Sequence, residues 1–181
     1  MDLDPHGWPS RDGSVIIGEF DVPSVPGNER QAAERVVAML RHATAGCLDA
    51  LHPSRLEELK TAVAEAVLNA MEHGNQYHAD LPVSVRVIGS GEALIVRIAD
   101  RGVGGMRLHL PSAQGAGPQS TGAQVQAPDL MAKLAGEQPP RGWGLYLIAQ
   151  MTDDVRILDC EGEHVVELLW YLGEAGEAGE R

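Results

Sequence analysis

A carboxylate and a carboxamide stand one helical turn apart in the stretch Glu65-Ala-Val-Leu-Asn69. On a helix, side chains four residues apart are neighbours on one face. A carboxylate at the rim of an apolar core can accept a proton from a hydroxyl or a water, and a carboxamide oxygen is a hard ligand that Mg²⁺ accepts beside phosphate oxygens. The pair therefore predicts a general base, Glu65, next to a magnesium ligand, Asn69. A solvated polar flank is the alternative, and His73 and Gly74 are more typical of a helix end, by charge and by C′ geometry, than of chemistry.

A second carboxylate, Asp100, stands where the hydrophobic stretch 94–99 ends. Gly102 and Gly104 follow it, and glycines let the backbone turn sharply and come close to a ligand. A carboxylate fixed at such a point can accept a hydrogen bond from the exocyclic amino group of adenine, which guanine does not offer at that position. Asp100 is therefore predicted to read adenine, with an ordinary Asp-Gly turn as the alternative.

A third stretch, Arg141-Gly142-Trp-Gly144-Leu145, opens a helical pattern. Free N–H groups at the start of a helix, together with the positive end of its dipole, bind phosphate. Arg141 would add positive charge at the terminal phosphate. The alternative is a glycine-rich helix start with a solvated arginine. In one chain and in this order, the three stretches supply the parts of a nucleotide site, although no P-loop motif and no zinc-binding spacing occurs.

Composition restricts the class of protein that carries these residues. The 181 residues are enough for one domain with a sizeable core, and 44% of them are hydrophobic. A net charge of −12 argues against direct nucleic-acid binding and is explained equally by solvation or by a basic protein partner. Cys47 and Cys160 lack metal-ligand spacing and are expected to be reduced thiols. We expect no signal peptide, no membrane partner and a cytoplasmic location.

The elements that must position these residues follow from periodicity. A strand is predicted over 14–20, a helix from Asn28 as N-cap to about Gly46, and a second helix from a Ser54/Glu57 capping box to about Gly74. The second helix has one apolar stripe, formed by Leu59, Ala62, Val63, Ala66, Val67 and Ala70. Alternation predicts an antiparallel hairpin over 83–98, a helix follows Arg141 to about Met151, and two strands cover 155–158 and 164–172.

Three segments fall outside this regular pattern. Residues 1–13 are expected to be a flexible N-terminus, and the repetitive acidic tail 173–181 is expected to be disordered. Residues 105–140 are rich in Gly, Gln, Ala, Pro and Ser, with one short helix predicted at 129–135. A long loop inside a domain is usually functional or disordered. The prediction is one domain over 14–172, with 105–140 as a lid.

The ordered set of motifs resembles the GHKL ATPase superfamily, and within it the bacterial anti-sigma-factor serine kinases. The N box resembles 65–74, the first glycine box 100–104 and the second glycine box 141–145. The resemblance implies that Glu65 is the general base, Asn69 the magnesium ligand and Asp100 the adenine-reading acid. It also implies that the boxes, including Leu145, line the nucleotide, and that a lid closes over ATP through these glycines: Gly102, Gly104, Gly142 and Gly144.

The same resemblance implies a fold, an activity and partners. The fold is a two-layer α/β sandwich, with a mixed sheet and helices on one face. The activity is an ATP- and Mg²⁺-dependent protein serine/threonine kinase that acts as an anti-sigma factor. Its partners are a sigma factor and a small antagonist protein that accepts the phosphate, and a homodimer is common in this group. The alternatives are a non-catalytic module that binds adenine nucleotide and sequesters a partner, or a histidine-kinase-type ATPase domain.

Overall fold

Regular structure accounts for most of the chain that the computed structural model describes, which comprises residues 14–43, 51, 53–90, 92–102, 144–160 and 162–172. In chain order the elements are β1 Val15–Val22, α1 Asn28–His42, α2 Pro53–Asn69, a π-helical turn Ala70–Gly74, β2 Val83–Gly89, β3 Ala93–Asp100, α3 Gly144–Met151, β4 Asp154–Cys160 and β5 Glu163–Tyr171. Each strand and helix predicted within these residues is present, with ends that shift by a few positions.

One five-stranded sheet carries the fold, in the order β1-β2-β3-β5-β4. The α/β sandwich is confirmed, but the sheet is not mixed as expected, because every described strand pair is antiparallel. The chain passes from β3 through α3 to β4, which runs in the same direction as β3. The tight β4–β5 turn then inserts β5 between the two parallel strands, so no parallel neighbours remain.

The core lies between the helices and one face of the sheet. Alternate residues of the central strands, among them Val85, Val96 and Leu168, are fully buried against the helices. The predicted stripe on α2 is confirmed, since all six of its residues are buried in this cluster. Trp170 is also fully buried, and its indole N–H donates to the carbonyl of Met151 at 2.8 Å, which ties β5 to the end of α3. Period-two strands and a period-3.6 helix thus supply the two halves of the core.

The two long helices begin differently from the prediction. Gly27, with φ of 98°, is the N-cap of α1, and Asn28 is the first helical residue. The Glu29 carboxylate accepts the N–H of Gly27 at 2.7 Å, so a first-turn acid binds the N-cap amide, and no side chain caps the first-turn N–H groups as Asn28 was expected to do. In α2 the first helical residue is Pro53, whose fixed φ suits that position, so Ser54 is already inside the helix and is not the predicted cap.

Several predictions fall outside the described residues. They concern the N-terminus 1–13, the lid 105–140 with its short helix at 129–135, and the tail 173–181. The division of the chain into these segments stays a prediction. Within the described residues, no helix is long and apolar enough to cross a membrane.

Candidate functional site

The first cluster of the site lies where α3 begins against the side of α2. A Cβ atom placed on Gly144 would lie 2.9 Å from Oε2 of Glu65 and 3.3 and 3.4 Å from the two terminal atoms of Asn69. The helix start from the third motif thus meets both polar side chains of the first motif. Even a methyl group at position 144 would press on the carboxylate, so glycine lets the start of α3 approach Glu65 and Asn69 closely.

Burial and a neighbouring charge set the electrostatics of Glu65. Its side chain is half-buried at the edge of the α2 stripe. Desolvation by burial is the main cause that raises the pKa of Glu65, and the negative charge of Glu29 in the first turn of α1 raises the pKa further. A carboxylate with a raised pKa is a stronger proton acceptor once it is ionised. This property suits a general base.

The second cluster surrounds Asp100 at the end of β3. The residue is 4% exposed, and its Oδ1 atom accepts the N–H of Gly102 at 3.2 Å. Directly opposite on β5, Nδ1 of His164 lies 3.5 Å from Oδ2 of Asp100. The carboxylate is therefore held in one orientation from two sides, as a group that reads a hydrogen-bond donor must be.

Two glycines allow this cluster to close. A Cβ on Gly74 would collide with the Asp100 carboxyl group, and a Cβ on Gly102 would collide with the carbonyl of Gly74. Gly74 does not have a positive φ, so close approach is what requires glycine there, not the C′ geometry that the sequence suggested. The end of the N box and the start of the first glycine box are thus pressed together.

Helix α2 ends in a π-helical turn, which the sequence did not predict. Asn75 closes it by donating its backbone N–H to the carbonyl of Ala70 at 2.8 Å. His73 stands in the last turn as expected, and burial lowers the pKa of its imidazole, which opposes a charge at this helix end. Single π-turns inside helices are frequent at functional sites, and this one connects Asn69 to Gly74.

Some of the remaining predicted site residues lie within the described part of the chain and some do not. Gly104, Arg141 and Gly142 lie outside the described residues, and their assignment to a phosphate cradle stays a prediction. Leu145 is partly buried and packs against the main core, which anchors the first turn of α3. Gly144 is thus the described member of the second glycine box that faces the polar side chains.

The two clusters form one elongated site along α2. Glu65 and Gly74 are separated by nine positions, or about 13 Å at 1.5 Å per residue. Within the described residues, no group of three or more His, Cys, Asp or Glu is arranged to hold a metal ion. A magnesium ion commonly takes one or two protein oxygens and completes its shell with phosphate and water. The Asn69 carboxamide, which lies beside the start of α3 at Gly144, fits that mode.

The sequence did not predict how Glu29, Asn75 and His164 support the site, nor that Ser24 is buried behind Asn75 as its hydrogen-bond partner. Asn75 and Ser24 are buried polar residues at 1% and 0% exposure, but in the sequence each stands among turn-forming residues and is typical of a solvated loop. Glu29 belongs to another helix, and no spacing links it to Glu65. For His164, only the register of β5 against β3 places it opposite Asp100.

This arrangement of helices, sheet and clusters belongs to a known class of nucleotide-binding domain. The profile of the histidine kinase-like ATPase domain matches residues 28–170. The chain therefore belongs to the histidine kinase-like ATPase family, which confirms the resemblance seen in the three motifs.

Individual relatives within this family carry a more specific name. The serine-protein kinase RsbW of Listeria monocytogenes is 30% identical over 119 residues, which cover 66% of this chain and 68% of that protein. The RsbW of Listeria innocua matches with the same identity and coverage. The chain is therefore similar to serine-protein kinases of the RsbW type.

Two solved structures are also similar. The RsbU and RsbW domains of a Mycobacterium tuberculosis protein align with a TM-score of 0.48 and 17% identity, covering 91% of this chain. The chain spans 33% of that longer chain. The SiaB–SiaC complex of Pseudomonas aeruginosa aligns with a TM-score of 0.48 and 16% identity, covering 86% of this chain and 90% of that chain.

Proposed function

We propose that this protein is an ATP-dependent serine/threonine protein kinase that acts as an anti-sigma factor and phosphorylates a small antagonist protein. The observation that carries the proposal is the meeting of Gly144 with Glu65 and Asn69. A proton acceptor, a carboxamide that can hold magnesium and a helix start lie side by side, and phosphoryl transfer needs mainly positioning and charge neutralisation.

Each described residue then has one role. Asp100, which is held by Gly102 and His164, accepts a hydrogen bond from the adenine amino group at one end of the site. Asn69 holds magnesium, which when bound neutralises phosphate charge. Glu65 accepts the proton of the attacking serine or threonine hydroxyl. The separation of about 13 Å along the helix supports these roles, because an extended nucleotide presents its base and its terminal phosphate at opposite ends.

The proposed partners are those of the anti-sigma-factor serine kinases that the three motifs resemble. The Listeria relatives are named serine-protein kinases, and one solved relative is a complex of two proteins, SiaB with SiaC. We take a small antagonist domain as the phosphate acceptor and a sigma factor as the protein that the kinase sequesters. The location proposed is the cytoplasm, where both partners would be found.

The direct test is phosphate transfer to a protein acceptor. The full chain is incubated with γ-labelled ATP, Mg²⁺ and the small antagonist-like proteins encoded beside its gene. We expect label on a serine or threonine of one acceptor, and no label when GTP replaces ATP. Tight ATP binding without transfer to any acceptor would instead support the sequestering module.

The pH dependence of transfer provides a second test. Because burial and Glu29 both raise the pKa of Glu65, the base is protonated as pH falls through that raised value, and transfer is lost. Glu29→Gln removes the second cause and keeps an acceptor for the Gly27 N–H. We expect the acid limb of the kcat/KM profile to move to lower pH. The movement should be smaller than the part of the pKa shift that desolvation causes, because desolvation is the larger cause. An unmoved limb would mean that another group controls it.

A further inference from the structure

The side chain of Asn75 connects several segments of the described chain. It is 1% exposed and stands directly after the π-helical turn. Its Nδ2 donates to Oγ of Ser24 at 3.0 Å and to the carbonyl of Leu81 at 2.8 Å. Its Oδ1 accepts the backbone N–H of Arg101 at 3.3 Å. Reversing the amide would place an N–H against the Arg101 N–H, so the partners fix its orientation.

The Arg101 contact holds the turn that carries Asp100. Arg101 is the next residue after Asp100, and the following N–H, of Gly102, donates to the Asp100 carboxylate. Gly102 also lies against the Gly74 carbonyl and the Asn75 nitrogen. The carboxamide of Asn75 therefore attaches the end of β3 to the end of α2, at the place where the adenine-reading carboxylate leaves the sheet.

The Nδ2 contacts reach a different part of the chain. Ser24 lies in the connection from β1 to α1, and its hydroxyl donates to the Leu81 carbonyl at 2.6 Å. That connection leads into the first turn of α1, where Glu29 acts on the pKa of Glu65. The Nδ2 and Oδ1 atoms of the carboxamide thus bind different segments, and different substitutions can remove the contacts of one atom or of the other.

We propose that Asn75 is a positioning residue for adenine recognition, because its Oδ1 fixes the Asp100–Gly102 turn relative to α2. This inference rests on the proposed function, since it concerns the same nucleotide site. Asn75 does not itself contact the base. Its loss lets the turn move, so that the Asp100 carboxylate no longer meets the adenine amino group in the bound geometry.

The test compares Asn75→Ser with Ser24→Ala in the full chain. Serine at position 75 keeps a hydroxyl in the pocket but is too short to reach the Arg101 N–H, whereas Ser24→Ala leaves that contact intact. Isothermal titration with Mg-ADP and Mg-GDP gives affinity and selectivity. Amide hydrogen exchange, followed by NMR, reports on Arg101 and Gly102, and urea unfolding reports on stability.

We expect Asn75→Ser to bind Mg-ADP about tenfold more weakly, the effect of one lost hydrogen bond, with a smaller preference over Mg-GDP. Its Arg101 amide should lose protection. Ser24→Ala should lose stability but keep both the protection and the affinity of the parent chain. Parent-like affinity in Asn75→Ser, or an equal loss of affinity in Ser24→Ala, would overturn the inference. A parent chain that binds no adenine nucleotide would contradict the proposed function itself, a different result.

Discussion

Glu65→Gln is expected to bind ATP as the parent chain does and to transfer phosphate about 10²- to 10⁴-fold more slowly, which is the usual contribution of a positioned base. Glutamine has nearly the same shape, so the close approach of Gly144 to the side chains at positions 65 and 69 is preserved. Only the ability to accept a proton is removed. The measurement is the initial rate of label transfer at saturating ATP, together with a nucleotide titration for each variant.

Two controls make that result specific. Glu57→Gln, an exposed change on the same helix, should leave the rate unchanged.

The second control is the stability of the fold. Burial raises the pKa of Glu65 in the folded state, so the free energy of unfolding falls as pH rises from the unfolded pKa through the folded pKa. Glu65→Gln should therefore stabilise the fold more near neutral pH than at about pH 3.5, below the unfolded pKa. If Glu65→Gln transfers phosphate at the parent rate, either another group is the base or the chain is not a kinase.

Asp100→Asn is expected to weaken ATP binding by about 1.5–3 kcal/mol, or about 10- to 150-fold, because a charge-assisted hydrogen bond is lost. The Gly102 N–H requires an oxygen at the Oδ1 position. An asparagine that satisfies it turns its NH₂ group toward His164 and the adenine amino group, so a donor faces a donor. The measurement is calorimetry with ATP and GTP on both chains.

The matched control for this prediction is Asp21→Asn. Asp21 lies exposed on the edge strand β1, and its replacement changes the net charge by the same amount. It should leave the affinity for ATP unchanged, which separates a local hydrogen bond from a general charge effect. Equal affinity of the parent chain for ATP and GTP would refute the assignment of Asp100 to adenine.

The parts of the fold that depend on local periodicity were predictable. The α2 stripe from Leu59 to Ala70 is buried as its spacing indicated, and the alternation in β2 and β3 gives the antiparallel hairpin that was expected. Strand order was not predictable in the same way. The insertion of β5 between β3 and β4 depends on pairing between distant segments, and neither strand carries a local signal of its neighbour.

The same distinction between local pattern and tertiary packing applies to the candidate site. The sequence by itself determined which residue types are available: a carboxylate and a carboxamide one turn apart, an acid at a strand end and glycines at a helix start. Spacing along one element carries this information, because helix and strand geometry fix the relative positions of near neighbours.

Only the tertiary structure decided what those residues meet. It placed Gly144 against Glu65 and Asn69, although the chain positions differ by more than 70. It showed that Gly74 is needed for the approach of Asp100, and it buried Asn75 as the link between three segments. These contacts depend on how the layers pack. A residue's partners across a core are set by the shape and register of the whole fold, which no local pattern in the sequence encodes.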